Sequence, residues 1–167
     1  RTDAAQLKEK LSSEQFDAVF DNNGRELSDT QPLAEIFQAT VKHFVYVSSA
    51  GVYMKSDQMP HREGDTVDPK SRHKGKFETE LYLQQQGLPF TSIRPVYIYG
   101  PHNYNPLEPW FFDRIVRDRP IPIPGDGMSI TQLGHCADLA AAMAAVLANW
   151  LSMAMAPVGM TSMGRET

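Results

Sequence analysis

F-V-Y-V-S-S-A-G-V-Y, Phe44 to Tyr53, and P-K-S-R-H-K-G-K-F-E-T-E, Pro69 to Glu80, are the two stretches on which the fold turns. The first is an apolar, β-branched and aromatic run that ends in two small hydroxyls. It reads as a buried parallel strand that delivers Ser48 and Ser49 to a site. The second is a cationic loop that becomes a helix at about Lys76. Lys70, Arg72, Lys74 and Lys76 crowd together there with His73 among them, just behind the acidic residues Glu63, Asp65 and Asp68.

Outward from these stretches the chain alternates. Thr2 to Ser13 carries Leu7 and Leu11 at helical spacing. Phe16 to Phe20 is a short apolar strand closed by D-N-N-G, and Leu27 to Val41 sets Leu33, Ile36, Phe37 and Val41 on one helical face, with Pro32 near the first turn. Met54 to Ser71 is a polar loop over the strand ends. The helix from about Lys76 to Gln86 buries Phe77 and Leu81 and stops at Gly87, a residue suited to a left-handed cap, with Pro89 following. Phe90 to Arg94 is a third strand, broken by Pro95. Beyond Gly100 the reading is a short helix at about Pro109 to Asp118, a pair of small strands near Ile121 to Ile123 and Ser129 to Leu133, and an amphipathic helix from Asp138 to Trp150.

Strands alternating with helices imply an α/β, doubly wound parallel sheet, in which ligands gather at the carboxyl ends of the strands. Those ends carry Asn22, Asn23 and Gly24, then Ser48 and Ser49, then Pro95 and Tyr97. No G-x-G-x-x-G occurs to hold a pyrophosphate. At 167 residues and 41% hydrophobic the chain suits one soluble domain, and no apolar run is long enough to span a membrane. The single cysteine, Cys136, excludes an internal disulfide and fits a reducing compartment. The five histidines show no metal-ligand spacing, so no metal site is expected. A net charge of −4 means that any nucleic-acid binding must use a local patch.

Ser48 and Ser49 after a strand, followed by the Lys76 helix, resemble the active-site half of the extended short-chain dehydrogenases/reductases of the nucleotide-sugar epimerase and dehydratase type. In that family Y-x-x-x-K opens the helix, the tyrosine exchanges the proton during hydride transfer and the lysine lowers its pKa. With Lys76 on the lysine, Arg72 falls on the tyrosine position, and a guanidinium stays protonated at physiological pH. D-P-K-S-R-H-K-G-K-F-E-T-E, T-S-I-R-P-V-Y-I-Y-G-P, N-Y-N-P-L-E-P-W-F-F-D-R and Q-L-G-H together resemble the chloroplast stem-loop-binding proteins, over roughly Asp17 to Leu147.

The resemblance implies a partial Rossmann-type sheet without its N-terminal glycine-rich half. Residues 1–148 would be the C-terminal half of an NAD(P)-binding-like domain with part of a substrate region, and residues 149–167 an atypical, disordered tail. The first strand would then expose an edge that makes the piece aggregation-prone or marginal alone. The family also implies RNA binding in the chloroplast stroma, or in the cytoplasm of a cyanobacterium. The implied partners are stem-loop RNA, ribosomal particles, and a paralogous stem-loop-binding protein or a second copy of the chain.

Each candidate site has two readings. Ser49 and Lys76 are survivors of a hydride-transfer pair, or a strand-end hydroxyl and a solvated lysine. Asn23, Gly24, Ser48, Pro95 and Tyr97 line a vestigial NAD(P) site, or are packing around strand ends. Lys70, Arg72 and Lys74 contact phosphate, or form weak surface ion pairs; Arg114 and Arg117 form an RNA rim, or a solvated helix face. For RNA cleavage, His73 would serve as base or acid and Arg72, Lys74 or Lys76 as the electrostatic clamp, with Mg2+ assisting. In T-Q-L-G-H-C-A-D, Thr131 replaces the arginine with which the epimerases grip a nucleotide diphosphate, and His135 reads as structural. The alternatives to an RNA binder are a working NAD(P)-dependent epimerase or reductase and a non-enzymatic scaffold of a ribosome-associated complex.

Overall fold

The computed structural model describes residues 3–155. In chain order the elements are α1 (Ala4–Leu11), β1 (Ala18–Asp21), α2 (Leu27–Phe37), β2 (His43–Val47), a 3-10 turn (Ala50–Val52), α3 (Lys74–Gln85), β3 (Phe90–Ile93), β4 (Tyr97–Tyr99), α4 (Leu107–Val116), β5 (Leu133–His135) and α5 (Cys136–Met155). Strands β1, β2 and β3 form one parallel sheet in that order, with Asp21 level with Tyr46 and Val47 level with Ile93.

Every residue of β2 is buried, and the period-2 pleat divides its side chains between two layers. Phe44 and Tyr46 point into a core with Ala34, Phe37, Val41, Leu83 and Leu88, which α2 and α3 close. Val45 and Val47 point the other way, toward Met143 and Leu139 of α5. Each large apolar side chain sunk this way contributes about 1.5–3 kcal/mol relative to leaving it in water. The α/β parallel architecture expected from the alternation is the one found. Among the described residues β1 has a strand partner on one side only, and Phe16 and Phe20 remain exposed beside it.

Several expectations need correction. Leu81 is 40% exposed, and α3 instead buries Gly75, Thr79 and Leu83, one residue per turn, together with Glu80. The small strands near Ile121 and Ser129 do not form. Pro120, Pro122 and Pro124 remove the backbone donors along one edge of the first segment, which weakens it as a strand. The strand that does form is β5, which pairs in parallel with β4 through Tyr97 and Leu133. Pro32 lies inside α2 rather than in its first turn. Gly87 adopts φ 66°, as a left-handed cap requires. Helix α5 runs on to Met155, into the stretch expected as a tail, and residues 156–167 lie outside the described residues. Among the described residues no helix is long and apolar enough to cross a membrane.

His43 ties the layers together. It is buried, its Nε2 is 2.9 Å from the Thr91 hydroxyl on β3, and its ring stacks on Trp150 of α5 at 5.0 Å. Burial pushes its pKa below the ordinary 6.5. The unfolded chain therefore takes up this proton more readily than the folded one, so stability is full above pH 6.5 and declines as the pH falls through that value toward the folded pKa. Thermal unfolding followed from about pH 7.5 down to about 5.5 should show a falling midpoint, with a smaller fall in His43→Asn.

Candidate functional site

The carboxyl end of β1 turns at D-N-N-G. One Asp21 oxygen accepts from the backbone amides of Asn23 and Gly24, both at 3.1 Å, and the other accepts from the Thr30 hydroxyl at 2.6 Å. Gly24 is forced by space, because a Cβ there would lie 2.1 Å from the Thr30 hydroxyl and 3.2 Å from the Tyr46 ring. Its carbonyl accepts from the Tyr46 phenol at 3.1 Å. Gly24 is thus packed against its own protein, while the Asn23 beside it is exposed.

At the end of β2, Ser48 is buried and Ser49 caps the 3-10 turn by accepting from the Gly51 amide at 3.1 Å. The Ala50 amide donates to the Pro95 carbonyl at 2.9 Å and so binds this end to the one beside it. Lys76 reaches back across the gap. Its Nζ donates to the Val47 carbonyl at 2.6 Å and lies 5.3 Å from the centre of the Tyr46 ring.

The start of α3 is drawn close to these strand ends by two glycines. A Cβ on Gly75 would come within 2.1 Å of the Glu26 carboxylate, and one on Gly51 within 2.5 Å of the His73 ring. The Ser71 hydroxyl donates to the Gly51 carbonyl at 2.6 Å and accepts from the His73 amide at 3.0 Å. Arg72 donates from Nε to Nε2 of His73 at 3.0 Å. Partial burial, then the nearby charges of Arg72, Lys76 and Arg25, hold the His73 pKa below its ordinary value, so this ring is neutral at pH 7. Lys70, Arg72 and Lys74 are exposed around it.

These elements border an open cleft of about 1070 Å³. Lys70, Arg72 and His73 line it, together with Tyr97, Met128 and Ile130. The cleft therefore unites four of the residues singled out from the sequence, namely Lys70, Arg72, His73 and Tyr97. Ser48, Ser49, Lys76, Asn23, Gly24 and Pro95 stand at the neighbouring strand ends without lining it. Arg114 and Arg117 are elsewhere, on α4. Arg114 lies over the Trp110 ring at 4.4 Å and donates to the Pro120 carbonyl at 2.8 Å, and Arg117 pairs with Asp113. His135 accepts at Nδ1 from the Ala137 amide at 3.3 Å, and its ring meets that of Tyr99 edge-on at 5.1 Å. Among the described residues no three His, Cys, Asp or Glu side chains gather as metal ligands would.

The sequence reading missed a buried pair behind the cleft. Arg94 holds Glu80 with both ends of its fork, Nε to Oε1 at 3.0 Å and Nη2 to Oε2. The Ser92 hydroxyl also donates to Glu80, at 2.8 Å. Burial alone would push the Glu80 carboxyl up, but the bonds from Arg94 and Ser92 outweigh it and hold the pKa below the ordinary range. The Arg94 guanidinium in turn sits 4.8 Å from the Tyr53 ring, which stacks on His61 at 5.0 Å. Strand β3, helix α3 and the loop that roofs the cleft therefore meet on one arginine. The available signal was the carboxylate at Glu80, one turn after Lys76, together with an arginine at a strand end.

The residues 2–154 match the NAD dependent epimerase/dehydratase family. Over 149 residues the chain is 56% identical to the chloroplast stem-loop binding protein of 41 kDa b of Arabidopsis thaliana, a match that covers 89% of this chain and 39% of that protein. A trifunctional UDP-glucose 4,6-dehydratase/UDP-4-keto-6-deoxy-D-glucose 3,5-epimerase/UDP-4-keto-L-rhamnose-reductase of the same plant is 27% identical over 143 residues, 79% of this chain and 22% of its own. Among solved structures, dTDP-glucose 4,6-dehydratase DesIV from Streptomyces venezuelae, with NAD bound, superposes with a TM-score of 0.70 at 24% identity, over 88% of this chain and 52% of its own. UDP-glucose 4-epimerase from Thermotoga maritima gives 0.71 at 21% identity, over 87% and 56%. The chain spans about two fifths or less of the curated relatives it matches.

Breaking a buried ion pair by removing one partner costs about 3–5 kcal/mol, because the other charge is left stranded. Arg94→Met should therefore lower the urea unfolding free energy by about 3 kcal/mol or more, and Glu80→Gln, which leaves a neutral acceptor for Arg94, by less. An Arg94→Met variant of unchanged stability would show that the pair is idle.

Proposed function

The chain belongs to the NAD dependent epimerase/dehydratase family, and on that premise we propose that it uses the family's fold to bind stem-loop RNA in the chloroplast rather than to transfer hydride. The observation that carries this reading is the placement of Arg72. It occupies the position where the dehydrogenase reading needs a titrating tyrosine, it lies at the mouth of the cleft, and Lys70 and Lys74 are exposed on either side of it. The 56% identity to a plant protein described as a chloroplast stem-loop binding protein supports the same reading.

The residues present do not fit a nicotinamide dinucleotide engaged in hydride transfer. Arg72 cannot exchange a proton at physiological pH, and Lys76 spends a donor on the Val47 carbonyl. No step is routed through such a cofactor.

For RNA the same features are useful. Cations placed at a helix N-terminus oppose the positive end of the dipole by about 0.3–1 kcal/mol each when close, and a bound phosphate turns that repulsion into attraction from both sources. Phosphate contacts of this kind grip an RNA helix without reading its bases. The geometry favours binding over cleavage. A general base needs a free ring nitrogen, whereas Nε2 of His73 already accepts from Arg72. A ribosomal particle carrying such RNA, or a paralogous chain bound to it, belongs to the same proposal.

Binding of a labelled stem-loop RNA to the full chain should weaken steeply with salt. In a Lys70→Ala/Arg72→Ala/Lys74→Ala variant the slope of log affinity against log salt should drop by about 2, since each lost phosphate contact removes about 0.7–0.9. Anisotropy titrations across a salt series check this, and a slope that the three substitutions leave unchanged would remove the loop from the interface.

A further inference from the structure

Resting on the RNA reading, we infer that the cleft takes a single unpaired nucleotide from the loop of the RNA, with its base against Tyr97, Met128 and Ile130 and its phosphate against Lys70 and Arg72. The shape of the cleft separates this from binding of the stem. A-form RNA is a convex cylinder recognised across its surface, whereas bases splayed from loops enter recesses and stack on aromatic side chains. The recess here holds about 1070 Å³, ample for one nucleotide.

Its lining combines two chemistries, as a nucleotide does. Tyr97 is 54% exposed, Met128 77% and Ile130 79%, so three large apolar side chains of the lining face water. Lys70, Arg72 and the neutral His73 line the same cleft. Asp57, Asp68 and Asp126 also line the cleft. Asp68 and Asp126 accept from the backbone amides of Lys70 and Met128, which shapes their loops. With acids balancing cations over the cleft as a whole, a bare polyanion gains little inside it. A ligand that carries both an apolar ring and a single phosphate gains from both chemistries of the lining.

The test compares three ligands on the full chain: a hairpin with 2-aminopurine in its loop, a blunt duplex of the same stem, and a free uridine nucleotide. The hairpin should bind at least tenfold more tightly than the duplex, and the probe's emission should change on binding. Tyr97→Ala should weaken the hairpin about tenfold, abolish the emission change and leave the duplex unaffected. Ile130→Asp, on an exposed loop, repeats the test without disturbing the fold. Equal binding of hairpin and duplex, indifferent to both substitutions, would overturn the inference while leaving phosphate-based RNA binding intact. Displacement of the hairpin by the free nucleotide at comparable concentration would assign the cleft to a soluble ligand and overturn it too. Failure of both RNAs to bind would remove the RNA reading, and this inference with it.

Discussion

The ammonium of Lys76 reaches from α3 to the last carbonyl of β2, and the arrangement of the site follows from that one bond. Val47 is the final residue of a strand buried along its whole length, and its carbonyl accepts from the Lys76 ammonium. A buried backbone acceptor left without a donor costs free energy comparable to a lost hydrogen bond. Lys76 supplies the donor, and in doing so fixes the distance between the sheet and the start of α3. Gly75 and Gly51 make the approach sterically feasible, one against Glu26 and the other against His73. Arg72, a turn earlier in the chain, is thereby held at the cleft mouth.

This geometry is compatible with a scaffold that keeps its form when a group at its site changes. A hydride-transfer site needs a group that gives and takes a proton near neutrality, and arginine never does so. Yet Arg72 disturbs nothing beneath it, because Lys76 works on the backbone and the strand ends are satisfied by Ser49, Asp21 and Tyr46. A fold sustained by such internal bonds tolerates a change of surface group, which is why the fold alone does not fix the function.

Much of this was legible in the sequence, for identifiable reasons. Strand β2 announces itself because burial on both faces demands an unbroken apolar run, and the D-N-N-G and Gly87 turns announce themselves through their residue types. Helix α3 was harder to read. Its buried row is Gly75, Thr79 and Leu83, with a carboxylate beside it, so an apolar count points to Leu81, which lies in water. Glu80 looked like one more solvated charge because its partner, Arg94, comes from a different strand. The pairing of β4 with β5 joins segments far apart in the chain through three residues each, too short for periodicity to register. Of the candidate site, the cations and Tyr97 could be named from residue type alone, but the cleft that unites them depends on contacts that no local pattern encodes.

The proline-studded stretch between α4 and β5 has a consequence for how that cleft works. With Pro120, Pro122 and Pro124 lacking amide protons, the segment leading to Met128 and Ile130 is not stitched to either neighbouring strand. Displacing it breaks no ladder, so Met128 and Ile130 can shift at little enthalpic expense while Tyr97 stays in its pairing with Leu133. Ordering it around a guest costs entropy instead, and proline limits that loss by restricting the free segment beforehand. The cleft is therefore lined by one aromatic side chain held in a strand ladder, Tyr97, and by two apolar ones, Met128 and Ile130, borne on a segment without a ladder.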